Sequence, residues 1–362
     1  MADSGGSCKE EFGSTCKGLP ADNEYEGKQY CVLHFPSVDK DLDEFKEAIE
    51  KKLKDKDFDF RGVYFPDKQS LASLLPNATF EGEASFSNAT FKERAIFSDA
   101  TFEGEASFFY ATFEGEASFS NAIFKERAIF WSLRTFPQTF LSFRAAVIEK
   151  PERLSFHSTI LRPSWFIDVD AQKFDFSDVE WFRLPDGDEL ELEKEIEAFD
   201  GGSGKVPTPS SLRKLQKACR KLMDNAEESR DYATANELHY WSMELLRKEG
   251  WRELGLIGTL YWALSGYGER PRRAFLVLAG MWALFAFFYA MVAGAIEHVG
   301  QAALYSLAAI VRLTDIPAMV EVTTLLQPSE PGLFQVLVAV EGILGPLQIA
   351  LLVLAIRRRV MR

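Results

Sequence analysis

Phenylalanine recurs at a short, regular spacing over more than fifty residues, and this pattern constrains the fold more than any other feature of the chain. In "TFEGEASFSNATFKERAIFSDATF", residues 79–102, successive Phe residues are five or six positions apart and an Ala lies two places before each. Neither 3.6 nor 2 divides these steps, so the repeating unit is neither an amphipathic helix nor a long strand. A short repeat of this kind predicts a solenoid, in which each coil buries its apolar residues against the neighbouring coils.

The pairing of Ala with Phe extends through ten consecutive units from Ala78 to Phe130, with steps that alternate between six and five. A strict step of five precedes this block and returns after it, as far as Trp181. The pattern resembles the pentapeptide-repeat family over roughly residues 58–182. That resemblance implies a right-handed, four-sided parallel β-helix with Phe and Ala pointing inward. The extra residue in every second unit implies a small outward bulge and leaves the cross-section of the coil open.

The first segment of the chain, residues 1–36, contains a candidate metal site. Its potential ligands follow the spacing C-x7-C-x14-C-x2-H and are Cys8, Cys16, Cys31 and His34. Thiolate and imidazole ligands suit tetrahedral zinc, and the final C-x2-H places two ligands on one turn. We predict a structural zinc ion that stabilises a segment too short to bury a core of its own. The alternative is three unrelated thiols and a surface histidine.

Three segments connect the predicted solenoid to its surroundings. Residues 37–57 place apolar side chains at helical intervals and predict an amphipathic helix. Residues 183–210 are acidic and then rich in Gly, Ser and Pro, which is typical of a linker. Residues 211–268 predict two helices followed by an aromatic helix suited to a bilayer interface.

Two long apolar runs within residues 269–362 predict a membrane hairpin. Residues 274–296 contain no charge and are long enough to cross about 30 Å of hydrocarbon at about 1.5 Å per residue. Residues 332–356 form an equally long second run, which contains Gln335, Glu341 and Gln348. Arginines precede the first run and follow the second, so both termini are expected in the cytoplasm of a cell whose inner membrane the chain crosses twice. The N-terminus has no signal-peptide pattern, which agrees with this orientation.

A shorter apolar stretch lies between the two runs. Residues 301–313 are too few to cross a bilayer, so we predict a re-entrant half-helix that returns through "TDIPAM". The segments "ALYSLAAIVRLTDIP" and "AVEGILGPLQIALLVLAIRRR" resemble the pore helix and inner helix of two-span, pore-loop ion channels. The resemblance implies an oligomer of four subunits around a pore. The potassium signature TVGYG is absent, so potassium selectivity does not follow.

Candidate pore residues are the ionisable or polar side chains in the two segments that resemble the pore helix and the inner helix. An ionisable group inside a membrane is costly, so it is taken first as a candidate for function. The candidates are Arg312, Thr314, Asp315 and Glu341. The alternative for Glu341 is a charge neutralised by a neighbouring arginine. Candidate gating residues are Gly342, Gly345 and Pro346, which could bend the second span or, alternatively, serve close helix packing.

Charge and motifs narrow the function classes. The net charge is −13, with arginines concentrated near the apolar runs, which argues against nucleic acid as a partner and for a lipid bilayer. No catalytic motif such as H-E-x-x-H or G-x-S-x-G is present, so we expect no enzyme. The predicted function is a homo-oligomeric ion channel whose cytosolic β-helix binds an unidentified ligand or protein, or holds the subunits together. The alternative is a membrane-anchored scaffold that does not conduct.

Overall fold

The computed structural model describes residues 8, 13–16, 18–66, 77–136, 139–181, 209–292, 299–311 and 331–360. The chain divides into two compact units, Met1–Ser229 and Arg230–Arg362. Three of the predicted pore residues lie outside the described residues: Arg312, Thr314 and Asp315.

A β-solenoid of about five turns forms most of the first unit. Its strands are short, and within the central repeats each one pairs in parallel with the fourth strand along the chain, so these strands form four parallel sheets among the described residues. A further two-stranded parallel sheet lies at the C-terminal end of the solenoid. The strands of the solenoid are β3 (Tyr64–Phe65), β4 (Thr79–Phe80), β5 (Ala84–Ser85), β6 (Thr90–Phe91), β7 (Ala95–Ile96), β8 (Thr101–Phe102), β9 (Ala106–Ser107), β10 (Thr112–Phe113), β11 (Glu116–Ser118), β12 (Ile123–Phe124), β13 (Ala128–Trp131), β14 (Arg134–Thr135), β15 (Phe140–Ser142), β16 (Val147–Ile148), β17 (Leu154–His157), β18 (Ile160–Leu161), β19 (Asp175–Ser177) and β20 (Glu180–Trp181). Two strands outside the solenoid, β1 (Asn23–Tyr25) and β2 (Lys28–Tyr30), form an antiparallel pair.

The register between coils explains the alternating repeat. Ala84 pairs with Ala106, and Ala106 with Ala128, so one coil advances the chain by 22 residues. Two six-residue units and two five-residue units make up that length, one unit for each side of the coil. In the later stretch with a strict step of five, Ser155 pairs with Asp175, and the coil shortens to 20 residues. The four-sided cross-section is therefore kept in both blocks.

The two kinds of unit turn the chain differently. The five-residue units turn through a residue with positive φ, and these residues recur every eleven positions: Asn88, Asp99, Tyr110, Asn121 and Ser132, with φ between 51° and 59°. Asn and Asp tolerate this left-handed conformation better than other non-glycine residues. The six-residue units instead place a bend at the corner, as at Gly82. The extra residue is thus a regular part of each coil rather than an interruption of it.

Stacked phenylalanine rings fill the interior of the solenoid. Phe108 stacks between Phe86 and Phe130, with ring centroids 5.1 Å and 4.9 Å away and nearly parallel planes. Neighbouring columns meet edge to face, as Phe97 and Phe108 do at 5.5 Å and 84°. The alanine two places before each ring is buried too, for example Ala106. The predicted inward orientation of Phe and Ala is confirmed, and each buried ring contributes roughly 1.5–3 kcal/mol.

A helical segment closes each end of the solenoid. On the N-terminal side, α1 (Gly13–Cys16) and α2 (Leu42–Lys54) precede the first coil. The side chain of Asp41 caps α2, and Phe45 on its buried face packs edge to face on Phe65 at 5.7 Å. On the C-terminal side, α3 (Pro209–Glu228) places the Asn225 amide where it donates to three carbonyl groups of the last coil, those of Ala171, Gln172 and Phe174.

The described part of the second unit is helical. Its helices are α4 (Tyr232–Glu249), α5 (Trp251–Ser265), α6 (Pro271–Val292), α7 (Val299–Ile310) and α8 (Pro331–Val360). Helices α6 and α8 are long and apolar enough to cross a membrane, and α7 is a shorter apolar helix that packs against both. The predicted helical segment 211–268 is divided, because α3 belongs to the first unit while α4 and α5 belong to the second.

Candidate functional site

Four metal-binding side chains converge at the N-terminal end of the first unit. The sulfur atoms of Cys16 and Cys31 are 3.2 Å apart, and each is 3.2 Å from Nδ1 of His34. The Cys8 sulfur completes the group at 3.8 Å from the same nitrogen. All four ligand atoms lie within 4.8 Å of one another, and the cysteines are free thiols. The cluster can therefore bind a metal ion through three sulfur atoms and one nitrogen.

Local structure explains this convergence. The backbone turns tightly after Cys31, where the amide groups of His34 and Phe35 both donate to its carbonyl oxygen. The other ring nitrogen of His34, Nε2, lies 2.9 Å from the carbonyl oxygen of Arg61. Because a carbonyl oxygen can only accept, Nε2 carries the proton and Nδ1 is left with its lone pair toward the thiols. A histidine fixed in this way by its second nitrogen is typical of metal ligands.

The ammonium group of Lys40 holds the turn that carries two of the ligands. Its Nζ donates to the carbonyl oxygens of Val32 at 2.8 Å and Leu33 at 3.3 Å, and to that of Tyr64 at 2.8 Å. Burial lowers the pKa of Lys40 to about 7. A buried lysine between the ligand turn and strand β3 ties the candidate metal centre to the first coil of the solenoid.

Electrostatics within the cluster favour a thiolate. The hydrogen bond from Cys16 lowers the pKa of Cys31 to about 4, although burial opposes this shift. The same hydrogen bond raises the pKa of Cys16, which acts as the donor. A deprotonated sulfur is the form that coordinates metal ions.

A second polar cluster lies between the apolar helices of the second unit. Glu341 on α8 is fully buried, and both of its carboxyl oxygens contact hydroxyl groups. The hydroxyl of Tyr289 on α6 lies 2.6 Å from Oε2, and that of Ser306 on α7 lies 2.5 Å from Oε1. One carboxyl group therefore joins three helices of the same chain.

Gln348, further along α8, also joins neighbouring helices. Its amide nitrogen donates to the carbonyl oxygens of Leu264 at 3.0 Å and Ala274 at 2.9 Å, which lie on α5 and α6. Both buried polar groups of α8 thus face inward, toward the other helices. The side chains exposed on α8 are mainly large and apolar: Leu333, Val336, Val340, Ile343, Leu344, Leu347, Val353 and Ile356.

The candidate gating residues lie on an uninterrupted helix. Helix α8 runs from Pro331 to Val360 with Pro346 inside it. A Cβ atom at Gly345 would lie 2.8 Å from Cα of Ile310, so α7 approaches α8 closely at this glycine. At Gly342 a Cβ atom would meet nothing within 4 Å. The two helices therefore pack closely at Gly345, while Gly342 has open space beside it. The gating role of Gly342, Gly345 and Pro346 stays a prediction.

Several residues in these clusters were not among the predicted site residues. They are Lys40, Arg61, Tyr289, Ser306 and Gln348. A hydroxyl or amide within an otherwise apolar run is the sequence signal that could have drawn attention to Tyr289, Ser306 and Gln348. Lys40 and Arg61 carry no such signal. Lys40 contacts backbone carbonyl groups, and Arg61 contacts His34 through its own backbone carbonyl.

Comparison with known proteins identifies the repeats. The family described as "Pentapeptide repeats (9 copies)" matches residues 72–112. The chain therefore carries pentapeptide repeats, and these form the β-solenoid. No curated protein and no solved structure matches the chain.

Proposed function

We propose that this chain is a subunit of an oligomeric membrane ion channel, in which α6, α7 and α8 form the pore unit and the pentapeptide-repeat solenoid lies in the cytosol. The observation that carries the proposal is the inverted polarity of these helices. Glu341 and Gln348 are buried, whereas large apolar side chains cover the outside. In the most apolar 18-residue stretch of each helix, only 22% of α6 and 17% of α8 is buried. The core helix of a soluble protein would be mostly buried. An apolar exterior of this extent suits lipid or other subunits.

The short helix α7 favours a pore over a simple anchor. Its 12 residues reach about 18 Å, well short of the roughly 30 Å of a hydrocarbon core. It nevertheless packs between α6 and α8. The ring centroid of its Tyr305 lies 5.2 Å from that of Tyr289 on α6 and 5.4 Å from that of Phe334 on α8. A helix that ends inside a bilayer is tolerated where it is covered by protein or lines a water-filled path.

The remaining features of the proposal follow the sequence. Two spans from one chain cannot enclose a path, so several subunits are needed, four by the resemblance to pore-loop channels. Arginines lie at the N-terminal end of the first span and at the C-terminal end of the second, which favours cytoplasmic termini and an inner-membrane location. The solenoid is proposed to be right-handed and to bind a cytosolic ligand or protein or to hold the subunits together. No step of this function is enzymatic.

The metal centre is proposed to hold zinc. Three sulfur atoms and one imidazole nitrogen form a closed set of four ligands, the arrangement of structural zinc sites. Its bonds reach the first coil through the Arg61 carbonyl and through Lys40. Zinc would then act as a staple that fixes the N-terminal cap of the solenoid.

A non-conducting, membrane-anchored scaffold is the second candidate. It is favoured by the position of Glu341, whose carboxyl group is occupied by Tyr289 and Ser306 within one chain. An ionisable group used in this way braces helices and need not face a pore.

Purified full-length protein in planar bilayers tests the two candidates. The channel predicts unitary currents in the native protein and a changed ion preference in Arg312→Ala. Glu341→Gln is expected to conduct, since an amide keeps the contacts of the carboxyl group. Arg94→Ala, an exposed change in the solenoid, is the matched control and should leave the current unchanged. Absence of current from protein that is folded and inserted would overturn the channel and leave the scaffold.

A further inference from the structure

Helix α5 carries an apolar stripe on its outer face. Leu256, Ile257 and Leu260 lie on one side of the helix and are 60%, 84% and 49% exposed. Another side chain of the helix, Trp262, contacts two arginines: the guanidinium of Arg247 lies 4.6 Å from the ring centroid and that of Arg273 4.4 Å. A short helix that is held firmly on one face and presents large aliphatic side chains on the other is typical of a helix lying in a membrane interface.

Six described arginines surround this helix and the ends of the two long helices, and four of them have partners. Arg247 pairs with Glu244 and Arg358 with Glu269, each at 2.8 Å. Arg273 lies over Trp262, and Arg270 lies over Tyr240 at 4.4 Å.

The other two arginines are Arg272 and Arg357. Both are exposed, and among the described residues neither has a hydrogen-bond, ion-pair or ring partner. Two guanidinium groups are therefore available to an external anion.

These arginines lie close to the C-terminal end of the helix that carries the apolar stripe. Arg358, which follows Arg357, donates to the carbonyl oxygen of Tyr267 at 3.2 Å, in the turn that joins α5 to α6. Arg272 lies in the first turn of α6, directly after that turn. The C-terminal ends of α5 and α8 and the start of α6 are thus together.

We propose that Leu256, Ile257, Leu260, Arg272 and Arg357 form an interfacial surface that binds the phosphate headgroups of anionic phospholipids. The aliphatic side chains would enter the boundary of the acyl chains, and each guanidinium would be attracted to the net negative charge of the headgroup, which phosphatidylcholine lacks because its choline cation offsets the phosphate. This inference rests on the membrane insertion in the proposed function and not on conduction. Charge complementarity and continuity with the apolar surface of α6 and α8 select a bilayer as the occupant.

Lipid binding to the full-length protein in detergent tests this surface. Native mass spectrometry compares phosphatidylglycerol with phosphatidylcholine for the native protein and for the double variant Arg272→Gln/Arg357→Gln. We expect the preference for phosphatidylglycerol to fall roughly fivefold for each arginine removed, with phosphatidylcholine binding unchanged. The control is Arg94→Gln/Arg144→Gln, which removes two exposed charges from the solenoid. A double variant that keeps the full preference, or a control that loses it equally, would overturn the inference.

Vesicle flotation separates failure of this inference from failure of the proposed function. If the native protein does not enter vesicles of pure phosphatidylcholine, membrane insertion is wrong and both proposals fail. If it enters them and shows no preference for phosphatidylglycerol, only the lipid surface is wrong. Ile257→Gln is a second variant: weaker vesicle binding by the folded protein supports the apolar half of the surface, and unchanged binding contradicts it.

Discussion

The hydroxyl group of Tyr289 lies 2.6 Å from Oε2 of Glu341 and so joins α6 to α8 in the interior of an apolar unit. The other carboxyl oxygen lies 2.5 Å from Oγ of Ser306, which is also 3.2 Å from the carbonyl oxygen of Trp282. Serine has a single hydroxyl proton. The serine hydroxyl can therefore donate either to the carboxyl group of Glu341 or to the carbonyl oxygen of Trp282. The carboxyl group accepts from hydroxyl groups on two different helices, so it joins α6, α7 and α8.

An amide group can keep most of the contacts of this carboxyl group. In Glu341→Gln the amide nitrogen can donate to Ser306 while the oxygen accepts from Tyr289, so we expect a melting temperature close to that of the native protein. Glu341→Leu leaves the buried hydroxyl of Tyr289 without this partner, at about 1–3 kcal/mol, while Ser306 keeps the carbonyl of Trp282 as acceptor, so this variant should melt clearly lower. Thermal unfolding in detergent, followed by intrinsic fluorescence, measures both. Equal losses in the two variants would show that the negative charge itself is required.

Two glycines on α8, three residues apart, allow a matched test of helix packing. A methyl group at Gly345 would approach Cα of Ile310 to 2.8 Å, so Gly345→Ala should push α7 away and lower the melting temperature. Gly342→Ala meets nothing within 4 Å and should be neutral or stabilising, by up to about 1 kcal/mol from helix propensity. If Gly345→Ala is as stable as Gly342→Ala, the close approach of the helices is wrong. A change of current in Gly342→Ala without loss of stability would support its predicted role in gating.

The sequence singled out Glu341 but could not supply its partners. An ionisable residue in an apolar run is visible by inspection, whereas Tyr289 and Ser306 lie far away along the chain and meet it only through helix packing. The suggested neutralisation by an arginine is not what the described residues show, since both carboxyl oxygens contact hydroxyl groups. Whether Arg312 and Asp315 face a pore stays a prediction.

The solenoid was far more predictable, because each coil contacts only its neighbours. The spacing of Phe and Ala determined which side chains point inward, and the alternation of five and six gave the 22-residue coil once the strands were paired. The left-handed corners had a partial signal in Asn88 and Asp99 but none in Tyr110. The use of α3 as a cap was not predictable, since it depends on long-range bonds from Asn225.

Neighbouring phenylalanines in one unit test the stacked core. Phe108 is fully buried between Phe86 and Phe130, whereas Phe109 is 36% exposed. Phe108→Ala should cost about 3–5 kcal/mol, and Phe109→Ala much less. In full-length Phe108→Ala, backbone hydrogen exchange should be faster around residue 108 than in the native protein. The amide of residue 108 donates a hydrogen bond to the carbonyl oxygen of Ile129 at 2.8 Å, so its exchange reports on this coil. Similar exchange in both variants would contradict the columnar core.

The cysteines offer a test of the metal centre with an internal control. Cys31 belongs to the cluster with His34, whereas Cys219 is equally buried on α3 and lies outside the cluster. Metal analysis of purified protein should find one zinc ion per chain, which Cys31→Ser should reduce strongly and Cys219→Ser should leave intact. Because the cluster is bonded to the first coil through Arg61 and Lys40, chelation should speed hydrogen exchange in residues 57–66 before it affects the central coils. Much less than one metal ion per native chain, or chelation without effect on this segment, would mean that the four side chains stabilise the cap by their own contacts.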